Sequence, residues 1–241
     1  MKAIRLKTEY LTAPLGIDVR QPRLQWNCDG GVQQTAYQIV TESWDSGRVE
    51  SASMHAAYPL PLHSRERVQW KIRLWDENGA AGEWAESCFE MGLLEKADWT
   101  ARWITGDYTP RKKERYPVDC FRKGFAVAGE VQSARLYATA CGLYEARLNG
   151  AKAGRFCLAP GHTDYRKRVQ YQTCDVTALL HSGDNEITVD LADGWYQGQL
   201  RCLGPHQSVR YPDQAPLPVG NHLCRRHTPD CGHRRYLAVV Q

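Results

Sequence analysis

The sequence predicts an all-β protein made of two β-sandwich domains. Three observations carry that prediction. Short runs of alternating apolar and polar residues recur along the chain and are separated by polar turns. An Asn-Gly pair at 149–150 is a strong two-residue hairpin signal, because a type I′ turn needs positive φ at both central positions. Eight Trp and twelve Tyr stand against only four Phe, a bias that suits sandwich cores in which the polar tip of a ring reaches a partner. The same bias suits surfaces that stack on sugars, so composition alone does not choose between the two.

Residues 1–92 read as one all-β unit. Leu24–Trp26, Ala36–Val40 and Val68–Trp75 are its strand candidates. The last alternates cleanly, with Val68, Trp70, Ile72 and Leu74 on one face and Gln69, Lys71 and Arg73 on the other. Asp76-Glu77-Asn78-Gly79 is a turn, and Glu83-Trp84 with Phe89-Glu90-Met91 closes the unit. Through RVQWKIRLWDENG and the GEW that follows it, this stretch resembles a fibronectin type III-like module. Any immunoglobulin-like sandwich has the same pattern.

Residues 93–125 read as a connector. It holds one helical turn at Leu93–Trp99, a short strand at Ala101–Ile104, and a charged, proline-bounded exposed loop from Tyr108 to Pro117. Residues 126–211 form the second all-β unit, with strands at 134–140, 143–148, 169–175 and 186–191, and a polar turn at Ser182-Gly183-Asp184-Asn185. The spacing suggests a jelly-roll, an architecture common among carbohydrate-binding domains.

The net charge is only +4. Part of it sits in the tail, where Arg225, Arg226, Arg234 and Arg235 face only Asp213 and Asp230. The near-neutral body gives no basic face for nucleic acid. No apolar run reaches the length of a membrane span, and MKAIRLKTEYLTAPLG lacks a signal-type apolar core. Nine irregularly spaced cysteines, an odd number, then imply reduced thiols and a cytoplasmic chain. No cofactor is expected.

Eight collinear stretches carry a family resemblance. They are PLGIDVRQPRLQW (14–26), QTAYQIV (34–40), WDSGRVES (44–51), FEMGLL (89–94), ADWTARWI (97–104), ARLYATACGLYEARLNG (134–150), LAPGHTDYRKRVQYQTCDVTALL (158–180) and DGWYQG (193–198). With them the chain resembles the N-terminal region of bacterial α-L-rhamnosidases. The resemblance implies two β-sandwich modules preceding a catalytic (α/α)6 barrel. It implies hydrolysis of terminal α-L-rhamnosyl residues with inversion, by a general acid and a water-activating carboxylate. Those carboxylates belong to the barrel, and nothing here matches it. The expectation is therefore a truncated chain without catalytic residues, inactive alone, whose partner is a rhamnosyl-containing carbohydrate. The alternative is a binding or structural module that never had catalytic activity.

The candidate contacts to sugar are Asp193, Trp195 and Tyr196, together with His162 and Asp164. A carboxylate accepts hydrogen bonds from vicinal hydroxyls, and an aromatic ring stacks on a sugar face. The competing reading packs these aromatics beneath the sandwich and makes Thr163-Asp164 an Asx-type turn. Arg166-Lys167-Arg168 reads as a solvated turn.

Residues 212–241 break the pattern. Cys224, His227, Cys231 and His233 are zinc-type ligands, but at a spacing common zinc modules do not use. A reading frame shifted by one base accounts for the tail better. With suitable codons, VGNHLCRRHT becomes WEITYADGT and GHRRYLAVVQ becomes VTDDTWQWS, both strand-like. No metal is therefore expected. A sandwich short of its final strands should carry an unpaired edge and an uncovered apolar face.

Overall fold

The computed structural model describes residues 1–106, 117–165, 167–197 and 236–240. The chain divides into two compact units, Met1–Asp98 and Trp99–Gln241. The strands expected from periodicity are largely present in both.

In the first unit, β1 (Lys2–Thr8), β2 (Arg23–Asp29) and β5 (His55–Ala57) form one antiparallel sheet in the order β1-β2-β5. The other sheet, in the order β4-β3-β6-β7, contains β3 (Ala36–Thr41), β4 (Val49–Glu50), β6 (Arg67–Trp75) and β7 (Ala85–Glu90). One core joins them. Leu24 and Trp26 from the first sheet meet Ile39, Val68, Trp70, Ile72, Leu74 and Phe89 from the second. This is the inward face that the β6 alternation predicts, and each such fully buried aliphatic contributes about 1.5–3 kcal/mol. The weak strand pattern of β1 has a cause. A bulge with Arg5 at φ 50° shifts its register between Ile4 and Lys7, which breaks the period of two.

In the second unit, β8 (Asp119–Val127), β10 (Leu143–Leu148), β11 (Ala151–Lys152) and β13 (Gly183–Ala192) form a sheet in the order β11-β10-β13-β8. Facing it, β9 (Arg135–Cys141), β12 (Gln172–Asp175) and β14 (Tyr236–Val240) run in the order β12-β9-β14. Leu136, Ala138, Ala140 and Cys174 from this sheet share a core with Ala146, Leu148, Ile187, Val189 and Leu191 from the other. Both units are β-sandwiches.

Several expectations change. A nine-residue strand, β8, begins inside the expected connector and pairs with β13 from Asp119↔Leu191 to Val127↔Gly183. Exposed Lys123-Gly124 in its middle hides the alternation of Phe121, Phe125 and Val127. Ala101–Ile104 is no strand; only Ile104 makes a bridge. The helical turn near 93–99 is a 3-10 turn at Lys96–Asp98. The turn expected at 182–185 tightens to His181–Ser182, since the buried Asn185 amide donates to the carbonyls of His181 and Gly183 and so lets β13 start at Gly183. The expected unpaired edge is closed at β9, where β14 runs antiparallel from Tyr236↔Cys141 to Val240↔Tyr137. The expected loop at 108–116, Arg166, and the Cys/His cluster of the tail lie outside the described residues.

No helix among the described residues is long and apolar enough to cross a membrane.

Candidate functional site

β9 is buried on both faces, which a strand in a two-layer sandwich ordinarily is not. Its inward side chains Leu136, Ala138 and Ala140 belong to the core. Its outward ones meet a second layer. Tyr137 lies against Tyr171 at 6.3 Å between ring centroids, and Tyr171 meets the edge of Trp99 at 5.1 Å. Thr139 donates to the Gln170 carbonyl at 2.5 Å. Cys141 packs with Tyr165 and Tyr196, with Trp103 and Val169 around them.

This second layer brings together the two motifs that the sequence nominates. Tyr165, only 2% exposed, donates to the Gly161 carbonyl at 3.2 Å and packs edge-on against Tyr196 at 5.1 Å. The exposed His162 ring stands 6.3 Å from Tyr165 on another side. His162 and Tyr196 are thus linked through Tyr165, to which the sequence assigns no role. Asp164 is half-buried, and its backbone carbonyl accepts from Lys167 and Arg168 at 2.8 and 3.0 Å. The Thr163 hydroxyl closes the same loop onto the Arg168 carbonyl at 2.6 Å. Asp193, also half-buried, precedes a helical turn at Gly194–Gln197 that carries Trp195 and Tyr196. The side chain of Trp195 lies outside the described residues. Tyr196 is 6% exposed, so its ring packs the layer and presents no open face for stacking.

Two glycines allow this closeness. Gly142, between β9 and β10, sits where a Cβ would strike the Ala192 carbonyl oxygen. Gly194 has φ 50°, and a Cβ there would lie 2.9 Å from the Leu143 nitrogen and 3.0 Å from the Gly142 carbonyl carbon. Burial pushes the Cys141 thiol up to about 12, so it is an inert apolar side chain at neutral pH. Burial also raises Tyr144, whose hydroxyl lies within reach of the Ala138 carbonyl at 3.1 Å and Gln172 Oε1 at 2.9 Å.

Among the described residues, the arrangement sets His162, Asp164 and Asp193, groups able to bond a hydroxyl, in the segments that carry Tyr165 and Tyr196, and shows no acid–base pair for bond cleavage. Glu145 and Asp190 stand opposite each other on β10 and β13. Lys152 and Arg147, however, hold Glu145 below its ordinary pKa, the reverse of what a general acid needs.

A second array lies in the first unit, on the outward face of β6. The Arg73 guanidinium is 4.7 Å from the Trp84 ring centroid and 4.8 Å from that of Trp75. Arg48 lies 5.0 Å from Trp75, and Lys71 lies 5.0 Å from Trp84. Arg73 donates to Gln38 Oε1 at 2.7 and 3.0 Å, and Gln38 donates onward to Asp45. The cations occupy the indole surfaces that a sugar would otherwise use. Periodicity does not reveal this ladder, because its members come from β6 and two neighbouring loops.

Comparison with known proteins decides the lineage. Residues 3–95 match the model of the Rha78A-like, N-terminal immunoglobulin domain, and residues 129–220 that of the α-L-rhamnosidase N-terminal domain. The chain belongs to the α-L-rhamnosidase family, as its N-terminal region. It is 37% identical to an α-L-rhamnosidase of Alteromonas sp. (strain LOR), over 81% of this chain and 24% of that protein. It is 35% identical to one of Formosa agariphila, over 83% of this chain and 24% of the relative. Among solved structures, the native α-L-rhamnosidase of Aspergillus terreus superposes with a TM-score of 0.80 at 32% identity, covering 99% of this chain and 26% of that one. The chain spans about a quarter of the length of the rhamnosidases it matches.

Proposed function

We propose that the two sandwiches are the non-catalytic N-terminal part of an enzyme that hydrolyses terminal α-L-rhamnosyl residues with inversion. In this reading they support the site where the bond is cut and contain none of its catalytic residues. The observation that carries it is the consecutive match of two N-terminal rhamnosidase domains, at residues 3–95 and 129–220. The test is a chromogenic α-L-rhamnoside offered to the purified chain. No release of chromophore above buffer is expected, and turnover would overturn the division of labour.

A binding role for the second unit rests on His162, exposed beside buried Tyr165, with Asp164 and Asp193 half-buried in the same segments. Together with Trp195 these are the proposed rhamnose contacts, while Tyr196 braces them. Calorimetry with rhamnose at millimolar concentration separates the two readings. Heat that disappears in His162→Ala and Trp195→Ala supports binding, and no heat leaves support alone. We read the second sandwich as a jelly-roll, because its chain passes repeatedly between the two sheets.

We also read the tail from residue 212 as a shifted reading frame, on its change to a Pro-, His-, Cys- and Arg-rich composition, while the family match itself runs on to residue 220. Sequencing the DNA tests this, and stop codons in the other frames would sink it. We read the chain as cytoplasmic, a reading that rests on its nine irregularly spaced cysteines.

A further inference from the structure

The Asn149-Gly150 turn joins β10 to β11, with φ 50° at Asn149 and 82° at Gly150. These values are what a type I′ turn requires. The pair is also chemically labile. Glycine places no side chain next to its own nitrogen, so that nitrogen can approach the preceding Asn side-chain carbon more freely than in any other Asn-Xaa sequence. Both residues are exposed, so water and base reach them.

The Asn149 amide is nevertheless held at every polar atom. Nδ2 donates to the Leu179 carbonyl at 2.9 Å and to Asn185 Oδ1 at 2.8 Å. Oδ1 accepts from the Glu186 backbone nitrogen at 2.9 Å. The Asn149 backbone nitrogen donates to the Glu186 carbonyl at 2.9 Å. Asn185, in turn, is 4% exposed and fixed by its own bonds to His181 and Gly183. The two amides form a clasp between the hairpin and the start of β13.

We propose that Asn149 is a latent deamidation site that this clasp keeps closed, with Asn185 as the residue that holds it. The chemistry needs only water and base. The Gly150 backbone nitrogen gives up its proton and attacks Asn149 Cγ. The bond from Cγ to the side-chain nitrogen breaks, and ammonia leaves. Water then opens the cyclic imide at either carbonyl, giving aspartate or isoaspartate, with no oxidation or reduction. For the attack to begin, the amide must rotate away from Leu179, Asn185 and Glu186. Each bond given up slows the step by the population it protects.

The reaction would not reverse. A carboxylate at 149 has no hydrogen to offer Leu179 or Asn185 and would face two acceptor oxygens instead. Isoaspartate would also lengthen the backbone inside a two-residue turn, where register with β11 depends on loop length. Opening of this hairpin is therefore converted into permanent damage at one residue.

The test uses the whole 241-residue chain, incubated at pH 8 and 37 °C and mapped by peptide mass spectrometry for a gain of one mass unit at Asn149. The folded protein should gain it at least roughly tenfold more slowly than the same chain unfolded in urea, the factor expected if one or two ordinary hydrogen bonds must open first. Asn185→Ala should speed the reaction in the folded protein, and adding Gly150→Ala should suppress it again. Equal rates in folded and unfolded wild type would overturn the proposal, whatever the variants do. So would an Asn185→Ala protein, folded by circular dichroism, that deamidates no faster than wild type.

Discussion

Gly194→Ala should unfold the second sandwich preferentially, and the size of the effect follows from two separable causes. At φ 50° a side chain meets the steric cost of the left-handed region, about 1–2 kcal/mol. The new Cβ would also press on Leu143 Cγ, on the Leu143 nitrogen at 2.9 Å and on the Gly142 carbonyl carbon at 3.0 Å. Two of these are backbone atoms, which cannot swing aside, so overpacking adds about 1–3 kcal/mol. The total of about 2–5 kcal/mol is a large share of a domain's stability. At about 4 °C per kcal/mol for a unit of this size, the melting transition should fall by about 8–20 °C. Gly129→Ala is the control. Gly129 also has positive φ, at 82°, but nothing lies within 4 Å of a Cβ there, so only the backbone cost remains. Differential scanning calorimetry of both variants measures the difference. If they lower the transition equally, the close approach at Gly194 is not a constraint and the account of this layer fails.

Arg73→Ala should cost the first sandwich about 2–3 kcal/mol, from two cation–π contacts of about 0.5–1 kcal/mol each and the hydrogen bonds to Gln38. Lys71→Ala, at the end of the ladder, should cost no more than about 1 kcal/mol. Urea midpoints followed by tryptophan fluorescence distinguish the two, and equal costs would mean that the ladder is decorative. Tyr165→Ala should cost about 3–5 kcal/mol as a buried aromatic truncation, while Tyr165→Phe should lose only about 1 kcal/mol with its bond to Gly161; calorimetry reads both. Cys141 should resist a maleimide at pH 7 until the chain unfolds. Its folded pKa of about 12 exceeds the ordinary 9.0, so the protonated thiol favours the fold. That contribution is complete below pH 9 and disappears as pH rises towards 12; Cys141→Ala should flatten this part of the stability profile.

Strands with one apolar and one polar face were plain in the sequence. Val68 to Leu74 alternate without interruption, and the structure buries the predicted face. The Asn149-Gly150 turn was equally legible, because its conformation is a local property of two residues. β1 and β8 were not, since a bulge in one and Lys123-Gly124 in the other interrupt the period. The candidate site was half legible. His162, Asp164 and the 193–196 segment could be named from residue type, but their meeting through Tyr165 depends on the path of the chain over β9. The Arg73 ladder depends in the same way on Arg48 and Trp84, which no local pattern ties to β6.

The pairing of β9 with β14 sets a problem for the ribosome. Cys141 must wait for Tyr236, nearly a hundred positions later, before that side of its strand is filled. At about 5–20 residues per second the delay is about 5–20 s. During that interval a strand with no polar face offers an open backbone edge to any other chain nearby. The nascent protein should therefore be most vulnerable to aggregation after β13 emerges and before residues 236–240 do. A chaperone that shields apolar strands would act in that interval.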